Sequence, residues 1–266
     1  MRFLFILTIL TILSATVQSQ DKAKIEKLLE FVKVKGGTYT MGDNSLNHDQ
    51  WVNYSTEHKE RVRGFYMQKT EVTWKLWYAV MGNLPFWPDT IGNKPITKLN
   101  YIDCERFVRK LNSITKKKYR LPTEVEWEYA ARGGRKSKGF KYAGSDNLDE
   151  VGWFEDNSNY TLQEVAQKKP NELGLYDMSG NLCEYCQDFQ REYKIDKKDK
   201  KPGRLIEGSH RVVRGGSWRR AAVVSMNAYR DRDISPKCEE DDCGFRLVLS
   251  MYNKKSIFSS KKKKRR

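Results

Sequence analysis

The chain has 266 residues, of which 38% are hydrophobic and 12% aromatic, enough to fill the core of one sizeable domain. Its formal net charge of +16 is uneven, because eight positive charges lie beyond residue 253 with no acid among them. We expect residues 253–266 to form a basic, disordered tail. Weak contact with an anionic surface is the functional alternative for this tail. Nucleic acid is not expected as a partner.

The N-terminus predicts export from the cell. A largely apolar run from Phe3 to Leu13 follows Met1-Arg2, and small and polar residues continue to Ser19. This pattern is typical of a cleaved secretory signal over residues 1–19, which gives a mature chain that begins near Gln20. The run is too short to span a bilayer comfortably. We therefore expect a protein of the periplasm, the cell surface or the medium.

The five cysteines of an exported chain predict one or two disulfides and a free thiol. Cys238 and Cys243 flank a short acidic segment, and a bridge between them is our first expectation for a disulfide. Cys183 and Cys186 form a Cys-x-x-Cys pair. A zinc site built from all four thiolates is the alternative that the spacing leaves open.

The first half of the chain alternates helix and strand signals. Residues 20–30 predict a short amphipathic lead-in helix, and residues 31–42 predict a strand, a Gly-Gly turn and a second strand. A further strand is expected over residues 64–73. Thr73 then caps a helix over residues 74–81, and Gly82 ends it.

Two more helices follow from spacing and capping. Cys104, Phe107 and Leu111 fall on one apolar stripe, so Cys104 is expected to be a packed thiol. Thr123 and Glu126 form a capping box for the next helix. Residues 142–170 read as long surface loops, residues 194–204 as a lysine-rich insertion, and residues 212–249 as strands that bracket one loop. No repeat or linker is visible, so we predict a single α+β domain.

Four motifs in a fixed order carry a family resemblance: Arg120–Arg132 (RLPTEVEWEYAAR), Gly174–Asn181 (GLYDMSGN), Arg214–Trp218 (RGGSW) and Gly244–Arg246 (GFR). Together they resemble the formylglycine-generating enzyme family, also called the sulfatase-modifying factor family. The resemblance implies a C-type-lectin-like variant with little regular secondary structure. It runs from about Phe31 to Leu249 and implies one domain over residues 31–252.

The chain departs from that family where its known chemistry resides. Enzymes of the family carry two cysteines just after the Gly-Gly-Ser turn, which bind copper and use dioxygen to oxidise a substrate cysteine. Here residues 218–236 contain no cysteine. The resemblance therefore implies no copper and no catalytic residues, and a binding or structural role in the bacterial cell envelope.

Two other functions stay open at this point. One is a metal-dependent oxidoreductase of the formylglycine-generating type that acts on protein cysteine in sulfatase maturation. The other is a diversified C-type-lectin-like receptor, although Asn227 is the only asparagine between Trp218 and Asp242. An iron site from His48, His58 and His210 is disfavoured because these histidines lack the close spacing of such sites.

The resemblance also implies a calcium loop. Side-chain oxygens of Asp177 and Glu184 and backbone carbonyls of Gly180 and Leu182 would supply the hard oxygen ligands that calcium prefers. An Asx turn beside a surface glutamate is the alternative for the same residues. Cys183 stands where the family usually has tryptophan.

The segment after the Gly-Gly-Ser turn supplies the ligand-binding candidates. Aromatic rings and guanidinium groups are favoured at binding hot spots, and arginine pairs well with carboxylate or sulfate. We expect a protein or an anionic glycan as the ligand. Trp218 and Arg230 have a second interpretation as buried framework. The candidates are Ser217, Trp218, Arg219, Arg220, Arg230 and Arg232.

Overall fold

The computed structural model describes residues 22–48, 56–85, 92–190, 210–230 and 241–251. Several sequence predictions concern residues outside these ranges and remain predictions. They are the signal over residues 1–19, the lysine-rich insertion over 194–204, the ligand candidate Arg232, the disulfide candidate Cys238 and the basic tail over 253–266.

The described strands form three small sheets. They are β1 (Phe31–Val34), β2 (Gly37–Met41), β3 (His58–Val62), β4 (Phe65–Gln68), β5 (Tyr119–Arg120), β6 (Cys183–Phe189), β7 (Arg211–Arg214), β8 (Cys243–Gly244) and β9 (Val248–Ser250). The largest sheet has the order β1-β4-β9-β5 and is antiparallel. Strands β2 and β3 pair alone. In the third sheet β6 lies between antiparallel β7 and parallel β8.

The helices begin and end where the sequence places its caps. They are α1 (22–27), α2 (Trp74–Met81), α3 (Tyr101–Thr115), α4 (Glu124–Ala131) and α5 (Leu148–Val151). The Thr73 hydroxyl accepts from the Leu76 N–H, and Gly82 ends α2 in the left-handed region with φ 78°. The Thr123–Glu126 capping box is present at α4. These local predictions are confirmed.

Helix α3 packs its apolar stripe into the larger core. The ring of Trp77 on α2 stacks on Phe107 at 5.2 Å between centroids, and Phe245 meets the Phe107 ring edge-on at 5.4 Å. Such pairs contribute beyond their buried area. Cys104 lies on the same stripe and is fully buried, so the packed-thiol prediction is confirmed. The mixed helix and strand content in one domain confirms the predicted fold class.

Two regions differ in detail from the sequence predictions. The strands predicted over residues 31–42 form, but β1 and β2 belong to different sheets, because the chain turns between them where it passes Gly64. A Cβ on Gly36 would lie 2.6 Å from the Gly64 nitrogen, so only glycine allows this approach. Residues 142–170 are mostly loop, yet they contain α5 and a small apolar cluster around Phe154.

No helix among the described residues is long and apolar enough to cross a membrane.

Candidate functional site

The Gly-Gly-Ser turn at the end of β7 depends on its glycines. Gly215 and Gly216 have φ values of 102° and 69°, in the region that favours glycine. A Cβ on Gly216 would lie 2.3 Å from the Ser225 Oγ atom. The turn therefore places the chain in close contact with Ser225. It also directs the Ser217 side chain into the protein, where it is fully buried.

The Asp242 carboxylate organises the segment that follows the turn. Its Oδ2 atom accepts from Ser217 Oγ at 2.8 Å and from Arg220 Nε at 2.9 Å, and its Oδ1 atom accepts from Arg219 Nη2 at 3.0 Å. Burial alone would raise the pKa of Asp242, but the hydrogen bonds and charges of the two arginines outweigh it, and the pKa is lowered. Asp241 makes a second ion pair with Arg219.

A disulfide ties this segment to the central strand of the third sheet. Parallel pairing of β6 with β8 places Cys183 opposite Cys243 with their Cα atoms 4.7 Å apart, and the two cysteines are bonded. The predicted Cys238–Cys243 bridge is therefore wrong: the parallel register gives Cys243 a partner 60 residues away. Next to the bridge, the Cys183 N–H donates to the Asp242 carbonyl at 3.0 Å.

The described residues offer no accessible thiol beside the turn. The free cysteines among them, Cys104 and Cys186, are buried, and burial raises the pKa of both thiols well above the ordinary value. Within the described ranges, Cys183, Asp242 and Cys243 are the one group of potential metal ligands of three or more that lie close together. Two of the three sulfur and oxygen donors are joined in the disulfide, so the group does not fit a thiolate metal site.

Arg230 lies in the framework of the domain. Its guanidinium donates to both oxygens of Glu124 at 2.6 and 3.1 Å, and both side chains are buried. On the same helix, Glu128 pairs with the buried Arg214. These contacts correct the expectation that Arg230 faces a ligand and favour its framework interpretation.

The accessible part of the predicted ligand set is Trp218, Arg219 and Arg220. Trp218 is half-buried, and the side chains of the two arginines are 32% and 36% exposed. The Arg219 guanidinium lies over the Trp218 ring, 5.8 Å from its centroid. Both arginines are ion-paired with acids of the 241–242 segment, so their charge is largely balanced.

The structure adds two exposed apolar residues that the sequence analysis missed. Tyr160 is 65% exposed, and Val223 is also exposed. The Ser158 hydroxyl joins the Tyr160 loop to Trp218, because it donates to the Trp218 carbonyl at 2.5 Å and accepts from the Tyr160 N–H at 3.1 Å. We call Tyr160, Trp218, Arg219, Arg220 and Val223 the turn face.

Tyr160 is held in an unfavourable backbone conformation. Asn159 and Tyr160 have φ values of 56° and 51°, which bulky side chains seldom adopt. Ser158 compensates, because its carbonyl accepts from the Thr161 N–H and hydroxyl and from Gln163 Nε2. Strain of this kind concentrates at functional sites. A β-branched or aromatic residue with positive φ gives no local sequence signal, so the pattern alone could not reveal it.

The predicted calcium ligands are arranged around an arginine. The Glu184 carboxylate accepts three hydrogen bonds from the buried Arg246 guanidinium, at 2.7 to 2.9 Å, and one from Trp127 Nε1 at 2.9 Å. Arg246 also donates to the Asp177 carbonyl at 3.1 Å. Both Glu184 oxygens are occupied, so the set of Asp177, Gly180, Leu182 and Glu184 does not fit calcium in this arrangement. Arg246 supplies the positive charge there.

Asp177 and Glu71 nevertheless leave two buried oxygens without a donor. Asp177 Oδ2 accepts from the Ala166 N–H at 2.7 Å, and Glu71 Oε1 accepts from Asn181 Nδ2 at 3.2 Å. Asp177 Oδ1 and Glu71 Oε2 have no partner. Burial raises the pKa of Asp177 to about 6, and burial together with the Asp177 charge raises the pKa of Glu71 well above its ordinary value. A shared proton or a cation fits between such carboxyl groups.

The fold and the turn define a domain of the sulfatase-modifying factor class. Residues 16–251 match the sulfatase-modifying factor enzyme 1-like domain, and the chain belongs to this family. The family resemblance inferred from the motifs is thereby confirmed.

Individual relatives differ in what their names say. The "Chaperone protein LppX" of Paenibacillus barcinonensis is 32% identical over 248 residues, which covers 74% of this chain and 80% of that protein. The "Inactive C-alpha-formylglycine-generating enzyme 2" of Bos taurus is 30% identical over 144 residues, which covers 48% of this chain and 43% of that protein. The solved structure of Treponema denticola variable protein 1 has a TM-score of 0.71 and 29% identity, and the match covers 83% of this chain and 94% of that one.

Proposed function

We propose that this protein is an exported, non-catalytic member of its family that binds a protein partner through the turn face in the cell envelope or outside the cell. The observation that carries the proposal is that Asp242 accepts hydrogen bonds from Ser217, Arg219 and Arg220. The carboxylate and the Cys183–Cys243 bridge hold the segment after the Gly-Gly-Ser turn in place. This is the segment where the family's enzymes hold their copper-binding thiols.

The chemistry of these residues argues against cysteine oxidation. A soft metal in a copper-thiolate site needs thiolate ligands, and residues 218–236 have none. Cys243 is bonded to Cys183 in the disulfide. Cys104 and Cys186 are buried, and the pKa values of their thiols are raised. A thiol is a ligand and nucleophile as its thiolate, so these two cysteines are poor substitutes.

The turn face has the composition of a protein-binding surface. Tyrosine, tryptophan and arginine are the residues that most often dominate binding energy. The two arginines of the face are balanced by Asp241 and Asp242. This balance favours a protein over a polyanionic glycan, which needs uncompensated positive charge. A relative named as a chaperone and another named as inactive are consistent with a binding role.

Catalysis is tested with a peptide that contains Cys-x-Pro-x-Arg. Purified mature protein is incubated with the peptide, Cu(I) and a reductant, and the peptide mass is measured. We expect no loss of mass at the cysteine. Turnover would contradict the proposal and would favour the oxidoreductase alternative.

Binding is tested by removing one exposed ring. Tyr160→Asn suits the positive φ, since asparagine tolerates the left-handed region. Tyr78, exposed on α2, offers the matched control Tyr78→Asn. Immobilised protein is exposed to envelope extract, and captured proteins are compared. We expect Tyr160→Asn to lose captured proteins that Tyr78→Asn and the parent retain. Equal capture by all three would contradict a role for the turn face.

A further inference from the structure

A groove lies at the opposite end of β7 from the Gly-Gly-Ser turn. Its volume is about 550 Å3, within the range of sites that enclose ligands of drug size. Helix α3, the β5 end and the adjoining ends of β6 and β7 form its walls. Its lining residues are Tyr101, Glu105, Val108, Arg109, Arg120, Leu121, Gln187, Asp188, Phe189 and Arg211.

Arg211 is fixed at the wall of this groove. Its guanidinium carbon lies 4.0 Å from the centroid of the Tyr101 ring and 3.7 Å from that of Phe189, so the group is held between two aromatic rings. Its Nη1 atom donates to the Gln187 carbonyl at 2.6 Å. A planar guanidinium held in this way has lost its side-chain freedom before any ligand arrives.

Two acids also line the groove: Glu105 pairs with Arg109 and Asp188 accepts from the Glu124 N–H, and neither forms an ion pair with Arg211. No acidic side chain of the described residues forms an ion pair with it, and its buried Nε atom has no hydrogen-bond partner. The other arginines of the groove are engaged: Arg120 donates to both Glu126 oxygens at 2.7 Å, and Arg109 lies 3.6 Å from Glu105. The Nε atom of Arg211 is buried and its Nη1 atom is bonded to the Gln187 carbonyl, so a ligand carboxylate would pair with the remaining Nη2 group of the guanidinium.

The rest of the lining favours a peptide over a sugar. Val108 is partly buried at the wall of the groove and presents aliphatic surface there, which suits an apolar side chain. The rings of Tyr101 and Phe189 each have a face on Arg211, so those faces are not free for stacking against a pyranose. The geometry points to this groove, which we call the Arg211 groove, as a binding site for an acidic peptide segment: one carboxylate pairs with Arg211, and an adjacent apolar residue contacts Val108.

The probe is a phage library of random heptapeptides, selected on the purified mature protein and counter-selected on Arg211→Gln. We expect enriched sequences to place Asp or Glu beside an apolar residue. Synthetic copies of these peptides should bind Arg211→Gln about tenfold or more weakly than the parent, because a charge-assisted hydrogen bond is lost. Arg211→Lys should also bind weakly, because lysine lacks the planar fork.

Helix α3 provides a matched pair that does not disturb the stacked rings. Arg109 lines the groove and is 65% exposed, whereas Arg106 does not line it and is 61% exposed, and each has one acidic neighbour on the helix. Arg109→Gln should weaken peptide binding severalfold, and Arg106→Gln should leave it unchanged. Because neither of these variants changes Arg211, the comparison remains valid even if Arg211→Gln lowers the melting temperature of the protein.

Three results would overturn the proposal. The first is that the parent protein enriches no peptide that Arg211→Gln does not also retain. The others are that the enriched peptides lack an acidic residue, or that they bind the parent and Arg211→Gln equally. Binding of an oligogalacturonate that depends on Arg211, with no peptide enriched, would also overturn it and would assign the groove to uronic acids. Tyr160→Asn should bind the selected peptides like the parent, so the Arg211 groove and the turn face are tested separately.

Discussion

Replacing Asp177 by asparagine distinguishes the two occupants that fit beside its free oxygen, a proton and a cation. Asparagine keeps the shape of the side chain and tolerates the positive φ of 55° at this position. Its amide oxygen can accept from the Ala166 N–H, and its amide nitrogen can donate toward Glu71. The variant thus removes one buried charge and gives both orphaned groups a partner.

The structure sets the size and sign of the effect. Burial raises the pKa of Asp177 from the ordinary 3.8 to about 6, which corresponds to roughly 3 kcal/mol at 1.36 kcal/mol per unit. The folded protein therefore holds this proton more tightly than the unfolded chain does. Above about pH 6 the charged form costs stability, and the cost is relieved as the pH falls from about 6 toward 4.

Urea denaturation of the parent and Asp177→Asn at about pH 7.5 and about pH 4.5 measures the difference. We expect the variant to be more stable than the parent by roughly 2–3 kcal/mol at the higher pH and by only about 1 kcal/mol at the lower pH. The exposed Asp156 supplies the control, since Asp156→Asn should change neither value. An Asp177→Asn variant that is less stable than the parent at both pH values would refute the shared-proton reasoning.

Calcium changes the expected result in a way that can be recognised. If a calcium ion binds through Asp177, millimolar calcium should raise the melting temperature of the parent above its value in chelator. A ligand that binds only the folded state adds roughly 2.7 kcal/mol at a hundredfold excess over its dissociation constant. Asp177→Asn should abolish that difference. An unchanged melting curve in chelator would argue against the cation and leave the proton as the occupant.

Three further outcomes follow from the fold and the sequence. Replacing Cys183 and Cys243 together by serine should lower the free energy of unfolding by about 4 kcal/mol, since the bridge spans 60 residues; unfolding titrations with and without reductant check this, and an unchanged midpoint would speak against the bridge. Arg230→Met should cost roughly 3 kcal/mol, because it removes both guanidinium hydrogen bonds from the buried Glu124 carboxylate; a loss of less than about 1 kcal/mol would contradict the framework interpretation. Mass spectrometry of protein recovered from the envelope or medium should show a terminus near Gln20, and an intact Met1 in the cytosol would contradict export.

Local signals in the sequence predicted local structure well. Thr73 and Gly82 set the ends of α2, and the capping box at Thr123 and Glu126 begins α4, because each cap depends on residues within one helical turn. The stripe through Cys104 could likewise be read from spacing alone. The α+β class followed from the order of the predicted elements, and the family motifs added the C-type-lectin-like variant of the fold.

Long-range pairings could not be predicted in this way. Cys183 and Cys243 meet because β6 and β8 run parallel, a register that neither strand encodes by itself. The position of Asp242 under Ser217 depends on the same pairing. The family resemblance assigns Glu184 to calcium, and no local pattern reveals that Arg246, 62 residues further along the chain, occupies its carboxylate.

These long-range contacts bear on the proposed binding role of the turn face. Asp242 and the disulfide fix the segment that carries Trp218, Arg219 and Arg220 before a partner arrives, and Ser158 fixes Tyr160 against it. A surface that is ordered in advance loses little conformational entropy on binding. The same contacts limit adaptation, because the buried Asp242 carboxylate holds both guanidinium groups in place. Under the proposed function, this arrangement favours a partner that complements the face in its present conformation over one that changes it.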